Sequence, residues 1–273
     1  MDRSYRTSLD LANVLGVPAC MNLTYSEGGN MLLGIADHEA YAIIGLDSFS
    51  ASKALMENDM KRKVSDREVQ IAFGIDYGIK TENLFFIEQP GDFHLDMNMV
   101  ILGEKTVVVN DSIEAYEILN KVGPKKLNLL IDSFQGHPPE DILNATKDRS
   151  LRKKVFEDEA SRHLQEKGFN VVRFPGRFEL YLPGLAEPVS LMNFFNMVSA
   201  TTPHGEKLII AMGCPDIGTG INFQGLFYQM LEQGGLNPNF IEITFLDYHE
   251  SKQSLLTNGG ISCRVKTLAS IQN

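Results

Sequence analysis

Two short apolar runs around a polar turn, followed by a helical segment, recur three times in this chain, and that repetition limits its architecture more than any single motif. The first copy has runs at 30–33 and 40–44 around Asp37-His38-Glu39, then a helical stretch over 51–57 opened by Asp47-Ser48. The second has runs at 97–102 and 106–109 around Gly103-Glu104-Lys105, then a helix from 113 to about 121 opened by Asp111-Ser112. The third has runs at 193–199 and 207–212 around Pro203-His204-Gly205-Glu206, then a helix over about 220–232. Each pair of runs reads as a β-hairpin, and each Asp-Ser pair as an N-terminal helix cap.

Helix-then-strand units fill the gaps. Ser65 and Glu68 have the spacing of a capping box, ahead of a helix with Val69, Ala72 and Phe73 on one face and a strand at 84–87. A helix over 157–167 stops at Gly168 and leads to a strand at 170–174. Phe223, Leu226, Phe227, Met230 and Leu231 give the last helix an apolar face before Gly234-Gly235 and a strand at 240–246. The expectation is an α/β protein of repeated hairpin and helix modules, residues 1–273 forming one domain. No glycine-rich phosphate loop of either dinucleotide or P-loop spacing occurs at a strand-to-helix junction, which disfavours a Rossmann fold.

The formal charge of −10 repels nucleic acid and anionic membrane and welcomes cations. The stretch Met1-Asp2-Arg3-Ser4-Tyr5-Arg6 has no apolar signal core, and no later run has the roughly 18 apolar residues of a membrane span. The expected location is the cytoplasm. Cys20, Cys214 and Cys263 are too scattered for a disulfide framework, and no CxxC pair suggests zinc, so neither a metal nor an organic cofactor is expected.

Chemistry is sought in three stretches: Glu27-Gly28-Gly29-Asn30, His94-Leu95-Asp96, and Asn258-Gly259-Gly260-Ile261-Ser262-Cys263. If 92–102 opens a hairpin, His94 and Asp96 stand two apart on a strand and share one face while Leu95 packs on the other. A cysteine nucleophile needs a base, and the base needs a carboxylate to fix its tautomer; Cys263, His94 and Glu27 suit those parts. Paired glycines let the backbone approach a ligand closely, and Asp96 is left to bind a positive group. Each feature alone also has an ordinary explanation: a surface hydrogen bond for His-x-Asp, a core residue for a single cysteine, a turn for Gly-Gly.

In this chain order, Glu-Gly-Gly-Asn, His-Leu-Asp and Gly-Gly-x-x-Cys resemble the guanidine-modifying (pentein) superfamily of arginine, agmatine and peptidyl-arginine deiminases, dimethylarginine hydrolases and amidinotransferases. The resemblance runs from Glu27 to Leu268. It implies a five-bladed α/β propeller of ββαβ modules around a cleft. It also implies that Cys263 is the nucleophile, His94 the general acid/base, Glu27 the carboxylate orienting it, Asp96 a guanidinium ligand and Asn30 a contact to the rest of the substrate. The implied reaction converts an arginine-like guanidino group into a ureido group and ammonia through a thiouronium intermediate. Amidino transfer and a non-catalytic module of the same fold are the alternatives. The superfamily pattern also has an acidic residue well before Glu-Gly-Gly, whereas 26 residues precede Glu27 and none contains that stretch. The expectation is a truncated first module, or recruitment of another carboxylate such as Asp47 or Asp92.

Of the remaining histidines, His38 and His204 are expected in turns, His137 and His163 at the surface, and His249 in a loop; Cys214 is expected to be structural, and Cys20 gives no signal.

Overall fold

Strands β1 (Met31–Ala36) and β2 (Glu39–Gly45) pair antiparallel, with Ala36 opposite Glu39, so two residues make the turn. Both are left-handed, Asp37 at φ 53° and His38 at φ 64°, the backbone of a type I′ turn whose twist matches that of the strands. A computed structural model describes residues 10, 12–16, 22–26, 28–90, 94–123, 126, 136–184, 188–202, 207–214 and 220–256. Strand β3 (Leu84–Ile87) lies parallel to β2, and a parallel neighbour requires a crossover. Helices α1 (Leu46–Met60) and α2 (Asp66–Tyr77) supply it.

The capping box of α2 is present: Ser65 Oγ accepts from the Glu68 amide at 3.3 Å, and Glu68 Oε2 accepts from the Ser65 amide at 2.8 Å. The expected cap on α1 is not. That helix begins at Leu46 after Gly45, which offers no side chain, because Asp47 is bound to Gln89 and Ser48 to Asn30.

The second unit repeats the pattern. Strands β4 (Met99–Ile101) and β5 (Thr106–Asn110) are antiparallel, and β6 (Asn170–Phe174) is parallel to β5. Its crossover holds α3 (Ser112–Val122), capped by Asp111 Oδ1 on the Glu114 amide at 3.0 Å, and α4 (Pro139–Glu166). At 28 residues α4 is about 42 Å long, far longer than the expected 157–167.

The third unit departs from expectation at its first strand. Asn193 ends β8 (Val189–Asn193), which forms a separate hairpin with β7 (Arg177–Leu180). The chain bends over 194–196, and the strand antiparallel to β10 (Lys207–Ala211) is β9 (Val198–Thr201). Helix α5 (Phe223–Gln233) then leads to β11 (Ile241–Phe245), parallel to β10. His249 is in the first turn of α6 (Tyr248–Leu256), not in a loop. The turn at 203–206, with His204, lies outside the described residues. Three ββαβ units and one hairpin thus make up the sheets of the described residues.

Burial explains why the middle strands read as unbroken apolar runs. Ala42 and Ile44 of β2 face a core with Val69, Ala72 and Phe73 of α2. Tyr41 and Ile43 face a second core, shared with Leu95, Met99, Val107 and Val109 and with Ala160 and Leu164 of α4. Strand β5 is likewise two-faced, since Val108 enters a third core containing Phe178, Phe194 and Phe227. Strands buried on both faces have no place for alternating polar residues.

Within this apolar frame sits a charged group. Lys153 of α4 and Arg177 and Glu179 of β7 are each under 10% exposed. Lys153 Nζ donates to Glu179 Oε2 at 2.7 Å, Tyr181 Oη donates to the same oxygen at 3.2 Å, and Arg177 pairs with Oε1. Burial pushes the Glu179 carboxyl up, but Arg177 and then Lys153 outweigh it and hold the group well below the usual carboxylate range.

Two stability predictions follow from these contacts. Replacing Asp37-His38 by Asn-Gly, the pair best suited to a I′ turn, should stabilise the fold by about 1 kcal/mol in thermal melts. Glu179→Gln leaves two buried cations without their anion and should cost about 3 kcal/mol in urea unfolding near neutral pH. A carboxyl depressed in the folded state stabilises it fully above the unfolded pKa of about 4.3 and loses that contribution as pH falls through the folded value. The parent should therefore weaken as pH drops below about 4.3, and Glu179→Gln should lack that part of the acid limb.

Candidate active site

His94, Leu95 and Asp96 do not lie on a strand. His94 is extended (φ −65°, ψ 155°) and opens a single 3₁₀ turn over Leu95–Met97; the strand starts at Met99. The Met97 amide donates to the His94 carbonyl at 3.2 Å and the Asn98 amide to the Leu95 carbonyl at 2.9 Å. Leu95 has no exposed surface and anchors the turn in the core between the first and second units. His94 and Asp96 are brought near one another by this turn and not by the strand alternation that was expected.

The residue that joins them is Gly29, in the 3₁₀ turn Gly28–Asn30 just before β1. A Cβ on Gly29 would sit 2.5 Å from His94 Nδ1 and 2.7 Å from Asp96 Oδ1, closer than real Cβ atoms come to anything. The glycine thus admits two side chains of this protein, where the sequence suggested only room for a ligand. Both Nδ1 and Oδ1 are buried at this point.

Asn30 turns away from that contact. It is 4% exposed, its Nδ2 donates to Ser48 Oγ at 3.0 Å, and its carboxamide lies where a Cβ on Gly45 would be, 2.3 Å from Oδ1. Helix α1 therefore holds Asn30 from its first turn. Asp47, one of the carboxylates considered for recruitment, exchanges two hydrogen bonds with Gln89, at 2.9 and 3.2 Å. Glu27, Cys263 and Asp92 lie outside the described residues, as does Cys20.

Three asparagines that the sequence reading passed over close around the 94–97 turn, each with no exposed surface. Asn98 Nδ2 donates to the His94 carbonyl at 3.2 Å while its Oδ1 accepts from Arg177 at 2.9 Å. Asn193 Nδ2 donates to the Met97 carbonyl at 3.1 Å. Asn196 Nδ2 donates to Asp96 Oδ2 at 3.3 Å. Their signal was present: Asn193 and Asn196 interrupt the apolar run Leu191-Met192-Asn193-Phe194-Phe195-Asn196-Met197, and a buried amide must find partners.

The other candidates stay apart from this cluster. His38 is the exposed second residue of the β1–β2 turn, and His163 pairs with Glu159 along α4 at 3.2 Å. Cys214 is half-buried against the third core, and burial pushes its thiol up to about 12, which makes it a poor nucleophile. Among the described residues no helix is long and apolar enough to cross a membrane.

No protein-family model and no curated protein matches the chain. Solved structures do. An agmatine deiminase from C. jejuni superposes with a TM-score of 0.51 at 12% identity, over 95% of this chain and 60% of that one. A substrate-bound variant of agmatine deiminase from the same organism gives 0.43 at 12% identity, over 87% and 54% of the two chains. A Porphyromonas gingivalis protein provisionally named an arginine deiminase gives 0.46 at 12% identity, over 87% and 55%. The chain spans 60% of the length of the first of these, and the likeness to it is one of fold. That likeness in fold covers nearly the whole of this chain.

Proposed function

We propose that this chain is a cysteine-dependent deiminase that hydrolyses the guanidino group of an arginine-like substrate. The observation that carries the reading is the packing of Gly29 against His94 Nδ1 and Asp96 Oδ1. Two motifs far apart in sequence, each named by the superfamily resemblance, meet at atomic contact. On the same reading the ββαβ units are blades of a propeller about the cleft, within one catalytic domain.

Asp96 takes the positively charged guanidinium, and the bound cation in turn favours the thiolate form of Cys263. The thiolate adds to the guanidinium carbon, forming a C–S bond. His94 gives a proton to one nitrogen, the C–N bond breaks, and ammonia leaves a thiouronium on sulfur. His94, now neutral, takes a proton from water as the water oxygen adds to the same carbon. Collapse breaks the C–S bond and returns the thiolate, the remaining hydroxyl proton passes to solvent, and the ureido product leaves. Glu27 holds the imidazole in orientation through both steps. The net charge of −10 suits a cationic substrate. Agmatine, arginine, methylated arginines and a protein arginine all present the required group.

Ureido formation, followed by colorimetry and mass spectrometry with these four substrate types, tests the reading. The parent should form product and Cys263→Ala should form none; folded parent protein inert toward all four would sink it. His94→Ala should lower kcat by about a hundredfold or more.

Gly29 gives a separate test. Gly29→Ala places a methyl on His94 and Asp96 and should abolish turnover, whereas among the described residues nothing lies within 4 Å of a Cβ on Gly28, so Gly28→Ala should keep it. Equal activity of the two variants would remove the observation on which the reading stands.

A further inference from the structure

A carboxylate meant to receive a planar cation needs a fixed plane, since the terminal torsion of an aspartate is broad and two-fold and bidentate pairing depends on its setting. In this site one edge of Asp96, Oδ1, faces Gly29 beside His94 Nδ1. The other oxygen, Oδ2, accepts from Asn196. Asn196 is itself held: its backbone amide and that of Phe195 both donate to Asn193 Oδ1, at 3.3 and 2.9 Å, and Asn193 Nδ2 grips the Met97 carbonyl one residue beyond Asp96. The bend at 194–196 that displaces the third hairpin from its expected register is therefore the device that carries this carboxamide to Asp96.

We propose that Asn196 is a positioning residue for Asp96. By holding Oδ2 it sets the plane of the carboxylate that a guanidinium would meet, and Asn193 fixes the spacing between the two residues by binding both segments. That the cation is a guanidinium rests on the deiminase reading; that Asn196 orients Asp96 does not. An asparagine that merely filled space would serve equally well with its donor removed. A donor to an ionised acceptor is stronger than one between neutral groups, and freeing the carboxylate weakens ground-state and transition-state binding alike, which appears in KM and leaves kcat unchanged.

The experiment has one arm that needs no substrate. In protein labelled with ¹⁵N at asparagine, the Asn196 carboxamide signal should move, and its hydrogen exchange accelerate about tenfold, in Asp96→Ala, with a smaller change in the same direction in the isosteric Asp96→Asn. A carboxamide indifferent to both substitutions overturns the proposal. The second arm is turnover of agmatine and arginine by Asn196→Leu, which keeps the volume and loses the donor without adding a charge, and by Asn196→Ala. KM should rise about tenfold in both, a loss of order 1.4 kcal/mol, with kcat within about threefold. An unchanged KM in folded Asn196→Leu overturns the proposal. If either variant fails to fold, the carboxamide measurement decides. If the parent turns over no guanidino compound, the deiminase reading falls and the same measurement still decides the role of Asn196.

Discussion

A buried carboxamide carries two donor hydrogens and an acceptor oxygen into a place where water cannot satisfy them, and much of this fold is arranged around meeting that demand. Asn110 at the end of β5 shows the complete case. Its Nδ2 donates to Ser112 Oγ at 3.0 Å and to Glu157 Oε1 at 2.8 Å, while its Oδ1 accepts from the Gly176 and Arg177 amides at 3.1 and 3.0 Å. One side chain thereby ties the end of β5 to α3, to α4 and to the start of β7. Asn98, Asn193 and Asn196 do the same around the 94–97 turn, where main-chain bonds alone supply a single 3₁₀ turn. Apolar packing brings these segments near one another, and the amides fix their relative positions, because a hydrogen bond tolerates far less displacement than a dispersion contact.

Long helix α4 supports both kinds of contact. Its buried stripe runs Ile142, Thr146, Ser150, Lys153, Glu157, Ala160 and Leu164, apolar at the ends and polar between. The polar middle is occupied: Thr146 Oγ1 accepts from the Tyr181 amide at 3.0 Å, Lys153 meets Glu179, and Glu157 accepts from Asn110, Ser112 and Arg173. Such pairs add little net stability compared with apolar residues of the same size. Their contribution is positional, since each partner belongs to a different segment.

The same stripe explains which parts of the fold could be read from sequence. Hairpins with local turns and strands with unbroken apolar runs were legible, as were the caps at Ser65 and Asp111, because the signals are local and periodic. The first half of α4 was not, since after Ile142 and Leu143 its core-facing positions are Thr146, Ser150 and Lys153, and an apolar period of 3.6 breaks off there. The β7–β8 hairpin was missed although Arg177-Phe178-Glu179-Leu180 alternates as a strand does; the alternation implies a solvent face, yet Arg177 and Glu179 are buried with Lys153. At the candidate site, the local geometry of His94 and Asp96 was misread, a turn standing where a strand was expected. That Gly29 meets both, and that Asn196 reaches Asp96, depend on contacts between segments that no single stretch of sequence encodes.

Strand β2 has a further consequence. In a sheet with one wet face, a slip of one residue is punished by exposing the core. From Tyr41 to Gly45 strand β2 has no wet face, so a slip there would trade one dry environment for another, and polarity cannot detect the error. Volume must do so. Tyr41 and Ile43 fill one side while the smaller Ala42 shares the other with Ile44, and a shifted strand would force a phenol ring into the space of a methyl group. Alignment of the strand that precedes α1, and through it the seat of Asn30 against Gly45, is thus written in the sizes of four consecutive side chains.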